Sequence, residues 1–211
     1  MSKPRHYEDP CGIARALDVT GDRWALLVVR ELLFGPKRFA QLRRGLHDIS
    51  PNVLSQRLRD LEEAAVVRRD VLEPPADITV YELTERGRAL RPVLLALGGW
   101  GRHEPITTSN DLSVAALLLA LETVCDPRAA VDATYALGVE GEWFCLTVEE
   151  GAIAIVRGRT EEPTVSFETD VDTLRSVAFG REPFTEAEHD GRLTVGGDRG
   201  VAGRFASLFS L

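Results

Sequence analysis

The chain has 211 residues, 44% of them hydrophobic, with a formal net charge of −8; that is enough apolar material for the core of one large domain or two small ones. No apolar run approaches the ~18 residues of a membrane span, and the opening Met-Ser-Lys-Pro-Arg-His-Tyr lacks the apolar stretch of a secretory signal. Cys11, Cys125 and Cys145 are odd in number and far apart, which excludes a zinc spacing and a disulfide framework and fits a reducing cytoplasm.

The charge is unevenly spread. Residues 1–104 carry 17 Lys/Arg against 15 Asp/Glu, whereas residues 105–211 carry 8 against 18. Within residues 37–69 there are eight basic and four acidic side chains. Such asymmetry predicts two domains with different partners, at 1–104 and 105–211. The locally basic stretch is what phosphate contacts require.

In chain order, residues 11–17 predict a short helix with Ile13, Ala14 and Leu17 on one face. Asp22 is placed to cap a second helix carrying Trp24, Leu27, Val28, Leu32 and Leu33, which Gly35-Pro36 ends. Residues 39–46 make a short third helix. Ser50 then caps a fourth, with Pro51 at its first position, where a missing N–H costs nothing. In that helix, running from Pro51 to about Ala65, Leu54, Leu58 and Leu61 recur at i, i+4 and i+7 and face a core. Asn52, Ser55, Gln56 and Arg59 are left on the opposite face. An ordinary solvated face is one reading of them; base contact is the other, since Asn and Gln match adenine and Arg matches guanine.

The continuation favours base contact. Val66–Glu73 alternates as a strand, Pro74–Asp77 is a turn and Ile78–Leu83 is a second strand. Thr84 caps a helix running to about His103, with Leu90, Val93, Leu94 and Leu97 apolar. Three helices, a hairpin and a helix form a winged helix-turn-helix, in which the second helix of the pair enters the major groove.

The motifs Gly21-Asp22-Arg23-Trp24, Leu33-Phe34-Gly35-Pro36-Lys37-Arg38-Phe39, Ile49-Ser50-Pro51-Asn52, Arg57-Leu58-Arg59-Asp60-Leu61-Glu62 and Tyr81-Glu82-Leu83-Thr84 together resemble the HxlR-type branch of the MarR-like winged-helix transcription regulators. The resemblance covers about residues 8–104. It implies a homodimer paired through its terminal helices, a recognition helix at 51–64, a wing at about 70–80, and Lys37 and Arg38 near DNA phosphates. The candidate DNA-contact residues are therefore Lys37, Arg38, Ser50, Pro51, Asn52, Ser55, Gln56, Arg57, Arg59 and Arg69. The wing departs from the pattern by carrying Asp70, Glu73 and Asp77 with no basic residue after Arg69. Cys11 falls near a position where some members carry a redox-sensing thiol; the alternative is a small buried core residue.

The second half opens with a break at Gly98–Gly101 and a linker at 105–110. Asp111 or Ser113 starts a helix apolar nearly all round, which demands burial on most sides. Strand-like runs follow at Ala133–Val139, Trp143–Glu149, Ala152–Arg157 and Pro163–Glu168, the first three joined by turns at Glu140-Gly141 and Glu150-Gly151 that read as hairpins. Asp170 or Asp172 caps a helix ended by Gly180, a fifth strand spans Gly191–Gly197, and Val201, Phe205, Leu208 and Phe209 give a final amphipathic helix. The expected fold class is α+β: the winged helix-turn-helix, then a five-stranded, mainly antiparallel sheet covered by helices on one side.

Asp170-Val171-Asp172-Thr173-Leu174, Phe179-Gly180-Arg181 and Asp190–Asp198 resemble the tail of sterol-carrier-protein-like lipid-binding domains. The resemblance covers about residues 110–211 and implies an apolar tunnel for a fatty or sterol-like molecule. Candidate lining residues are Leu117, Leu121, Phe144, Leu146, Phe167, Phe179, Phe205 and Phe209; each is also a natural core residue.

Nothing in the sequence calls for catalysis, a cofactor or a metal. The four histidines stand in no metal spacing, Glu188-His189-Asp190 reads as a solvated turn, and Gly196-Gly197-Asp198 lacks the Lys-Ser/Thr of a phosphate loop. The expected partners are double-stranded DNA, a second copy of the chain, and an apolar small molecule or fatty acid. The expected function is a homodimeric cytoplasmic regulator reading a pseudo-palindromic operator. The alternative is a lipid- or small-molecule-binding protein whose winged helix serves for dimerisation.

Overall fold

Where caps and apolar spacing coincide, helices form. The computed structural model describes residues 6–72, 78–126, 132–149 and 152–209. It separates into two units, residues 1–94 and 95–211. The first unit holds α1 (Gly12–Thr20), α2 (Ala25–Leu32), α3 (Phe39–Gly45), α4 (Pro51–Glu63), a hairpin of β1 (Val67–Leu72) and β2 (Ile78–Leu83), then α5 (Glu85–Arg88) and the start of α6 (Arg91–Gly101).

Ser50 caps α4 as expected: its Oγ accepts the Val53 N–H at 3.3 Å, and Pro51 is the first helical residue. Leu54, Leu58 and Leu61 are buried, so the period-3.6 stripe fixes which face of α4 turns outward. The helix stops sharply. Val66 N–H returns to Leu61 O and Ala65 N–H to Glu62 O, with Ala65 at φ 55°. A side chain in this left-handed conformation costs roughly 1 kcal/mol. β1 and β2 pair antiparallel from Val67↔Leu83 to Leu72↔Ile78. Lys37 and Tyr81 exchange backbone hydrogen bonds of 2.9 and 2.8 Å, tying the approach to α3 onto the wing. The expected turn at Pro74–Asp77, with Glu73, lies outside the described residues.

Three local expectations are corrected. Asp22 does not cap α2; a turn ending at Trp24 precedes that helix, with no side-chain cap. The helix expected from Thr84 to His103 is broken between α5 and α6, because Pro92 has no N–H to give the carbonyl of Arg88 and its ring would collide there. Gly98 and Gly99 do not break α6, which runs on to Gly101. Gly98 instead lies against Thr123, where a Cβ would come within 3.3 Å of the hydroxyl.

The second unit contains α7 (Val114–Val124), β3 (Ala133–Val139), β4 (Glu142–Glu149), β5 (Ala152–Arg157), β6 (Val165–Thr169), α8 (Val171–Ala178), α9 (Phe184–His189), β7 (Leu193–Gly197), α10 (Arg199–Ala202) and a closing 3-10 turn at Phe205–Leu208. Ser113 caps α7 and Asp170 caps α8. The expected final helix is thus split in two, and α9 occupies a stretch expected as a turn.

The five strands lie in the order β5-β4-β3-β6-β7. The sheet is mixed, not mainly antiparallel, because β3 and β6 at its centre pair parallel while β3/β4, β4/β5 and β6/β7 pair antiparallel. The β3–β4 hairpin turns through Glu140 and Gly141, both at positive φ (52° and 77°), as a tight two-residue turn requires. The Glu150-Gly151 turn lies outside the described residues. Residues 158–164 make no hairpin; they carry the chain past β4 and β3 to β6, and Arg159 lies over Trp143 at 4.3 Å on the way. The other face carries the core. Phe205 stacks against Tyr135, Phe167 and Phe209 with centroids 4.8–5.2 Å apart. Among the described residues, no helix is long and apolar enough to cross a membrane.

Candidate nucleic-acid interface

The outward face of α4 carries Asn52, Ser55, Gln56 and Arg59 at i, i+3, i+4 and i+7. Asn52, Gln56 and Arg59 are exposed and Ser55 is half-buried. Two of them are already joined: Arg59 donates to Gln56 Oε1 at 2.7 Å, and Gln56 Nε2 donates to Asp60 Oδ1 at 2.7 Å. Ser50 and Pro51 are exposed at the start of the helix, with the Ser50 hydroxyl engaged in its cap.

Two candidate DNA contacts are held in ion pairs within the fold. Arg57 is only 13% exposed and is held by Asp60 at 3.0 Å and by Asp22; the Asp22 side chain, freed from capping, fastens α4 to the turn before α2. Lys37 is 12% exposed and its Nζ lies 2.8 Å from the carboxylate of Glu31, a residue with no exposed surface. Arg30 also meets that carboxylate at 2.8 Å and reaches the Gly45 carbonyl at 3.3 Å. A buried carboxylate has to be paired and hydrogen-bonded, and Lys37 neutralises Glu31. Gly45 makes room, since a Cβ there would come within 2.3 Å of Glu31. Sequence reasoning missed Glu31; its one signal is a lone carboxylate within the apolar run of α2.

Arg38 is exposed at the start of α3, where its own N–H is taken by Gln41 Oε1 at 2.8 Å. In the wing, Arg68 pairs with Glu82, Asp70 accepts the Val71 N–H at 2.8 Å, and exposed Arg69 reaches Thr79 at 3.5 Å. Arg38, Ser50, Pro51, Asn52, Ser55, Gln56, Arg59 and Arg69 are therefore the candidates that remain on the outward surface of the first unit.

Cys11 is exposed, contrary to the buried alternative, and its Sγ accepts the Ala14 N–H at 3.3 Å as the cap of α1. The other two thiols differ from it. Burial, with Asp126 adding to it, pushes Cys125 up to about 11, and burial also raises Cys145.

In the second unit the structure packs away most of the expected ligand lining. Leu117, Leu121, Phe144, Leu146, Phe167, Phe205 and Phe209 are all buried, several within the aromatic cluster around Phe205, and Phe179 is half-buried at the end of α8. A cleft of about 280 Å³ lies elsewhere, between the end of α8, the start of α9 and α10, with Val177, Pro183, Phe184 and Ala206 in its walls. Beside it, Arg199 covers the Phe184 ring and pairs with Glu188, whose carboxyl that hydrogen bond holds below its ordinary range.

Comparison with known proteins finds a match in each half. Residues 19–107 match the HxlR-like helix-turn-helix family, and residues 116–210 match the SCP-2 sterol transfer family. The chain is 42% identical over 87 residues to the HTH-type transcriptional regulator YvaP of Bacillus subtilis (strain 168), covering 80% of that protein and 41% of this chain. It is 35% identical over 91 residues to the HTH-type transcriptional regulator YdeP of the same organism, covering 71% of that protein and 43% of this chain. The solved reduced form of the transcriptional regulator YodB from B. subtilis is 31% identical, with all of that chain and 48% of this one covered at a TM-score of 0.41. With α2, α3, an outward-facing α4 and the β1–β2 hairpin inside the matched region, the chain belongs to the HxlR-like helix-turn-helix family of transcriptional regulators.

Proposed function

We propose that the protein is a homodimeric regulator that places two copies of α4 in successive major grooves of a pseudo-palindromic operator, about 34 Å apart. The observation that carries this reading is the outward polar face of α4, with its leucines turned inward. Asn52, Ser55 and Arg59 face base edges, and Arg38 and Arg69 face phosphates. The dimer is supported by exposed apolar stripes at helical spacing, Ile13 and Leu17 on α1 and Val93, Leu97 and Trp100 on α6, which a second copy would cover. The protein acts by binding rather than by catalysis.

The match to the SCP-2 sterol transfer family supports an apolar ligand, such as a fatty acid, for the second unit. To release DNA, such a ligand must bind one geometry of the dimer better than the other. A gel shift of the full chain on double-stranded DNA from its own upstream region, repeated over a salt series, tests the operator reading: a specific, salt-sensitive complex is expected. An acidic wing, with Asp70 exposed and Arg68 paired to Glu82, favours a second reading in which the protein binds lipid and the winged helix only dimerises. A dimer that shifts no DNA, yet is warmed in a thermal-shift assay by a fatty acid, would establish that second reading.

A further inference from the structure

The polar face of α4 is not a set of independent side chains. Five residues form one relay. Asp22 holds Arg57 from the turn between α1 and α2. Arg57 reaches Asp60 at 3.0 Å. The other oxygen of Asp60 accepts Gln56 Nε2 at 2.7 Å, and Gln56 Oε1 accepts an Arg59 N–H at 2.7 Å. Only one orientation of the Gln56 amide serves both ends, with its NH2 toward the carboxylate and its oxygen toward the guanidinium.

We propose that Gln56 and Asp60 are positioning residues for Arg59, anchored through Arg57 by Asp22, and that this relay fixes Arg59 to select guanine at one base pair of each half-site. The inference rests on the operator reading above and names the side chains that set its specificity. Both ends of the Gln56 amide are engaged in the relay, so the N–H and the lone pair that remain to it are held in the orientation the relay sets. Arg59 has donated one of its five N–H groups in this relay, and two more suffice for guanine O6 and N7. A free arginine on a helix surface samples many rotamers, and fixing it before contact removes part of the ordering cost of binding. The relay also divides charge in pairs: Arg57 stands between two carboxylates, so the guanidinium of Arg59 is the cation left at its outer end.

The test is selection of bound sequences from randomised double-stranded DNA by the full chain and its variants. Wild type is expected to select guanine at one position per half-site, and Arg59→Ala to lose that preference. Gln56→Met, which keeps the side chain's length and removes both hydrogen bonds, is expected to cut the guanine preference about tenfold at that same position. Preferences elsewhere, salt dependence and thermal unfolding should stay unchanged, which a merely helix-stabilising role does not predict. The double variant should behave as Arg59→Ala alone. An intact guanine preference in Gln56→Met overturns the relay, and so does a loss confined to a different position, because Gln56 would then read a base itself. A chain that selects no sequence at all overturns the operator reading and the relay together, a result distinct from either of these.

Discussion

The polar face of helix α4 and the phenylalanines packed around Phe205 both carry side-chain types suited to binding, and the fold treats them in opposite ways. On α4 the polar face stays outward, with Gln56 and Arg59 already linked to each other. In the second unit the residues expected to line a tunnel are closed on themselves, and an open cleft lies beside other residues. The difference is physical. A polar helix face has nowhere to go but outward once its leucines are buried. A phenylalanine is equally content against a ligand or against another phenylalanine.

The largest expected effect tests the closed cluster. Phe205→Ala should cost about 3–5 kcal/mol in chemical denaturation; a loss under about 1 kcal/mol would mean that space already exists around the ring. Next comes the buried carboxylate of the first unit. Glu31→Gln leaves Arg30 and Lys37 without their counter-charge and should cost about 3 kcal/mol by the same measurement. Arg59→Ala should lose about 1–3 kcal/mol of affinity for the selected operator, and equal binding of variant and wild type would falsify the assignment of α4 as the reading helix. Arg69→Ala should weaken all sequences alike and reduce the salt slope by about one. Lys37→Met should leave that slope unchanged and lower stability instead, because its ammonium serves Glu31. A reduced slope for Lys37→Met would return that residue to the DNA surface.

The smallest effects separate the thiols. At neutral pH exposed Cys11 should label first, and a Cys11 that resists labelling removes it as a redox candidate. Cys125 should label slowly. Its ordinary value of 9.0 is raised to about 11 in the fold, so the unfolded chain ionises first. The stability it lends is complete below pH 9 and is lost as pH rises toward about 11. Cys125→Ser should flatten that alkaline loss in a thermal-unfolding series.

Much of the first unit was legible because its signals are local. Ser50, Pro51 and the three leucines of α4 act within one or two turns, and each was found where expected. The strands of the second unit were legible one by one, with β3 and β5 spanning the residues expected. Their arrangement was not. Reading successive strands as hairpins hides the connection at 158–164, and with it the parallel pairing of β3 with β6. At the candidate interface the outward set on α4 was visible from spacing. The capture of Arg57 by Asp22 and of Lys37 by Glu31 was not, because those partners are 35 and 6 residues away and nothing local marks them.

By itself the sequence determined the succession of elements from α1 to β2, the division of charge between the two halves, and the family resemblance carried by the motifs between Gly21 and Thr84. Caps, periodicity and motif order are properties of neighbouring residues. The tertiary structure alone decided which cations stay free for DNA, which carboxylates hold the others, and whether apolar side chains close on one another or leave a cleft. Those outcomes depend on which distant side chains meet, and a meeting across many residues is settled by packing and desolvation.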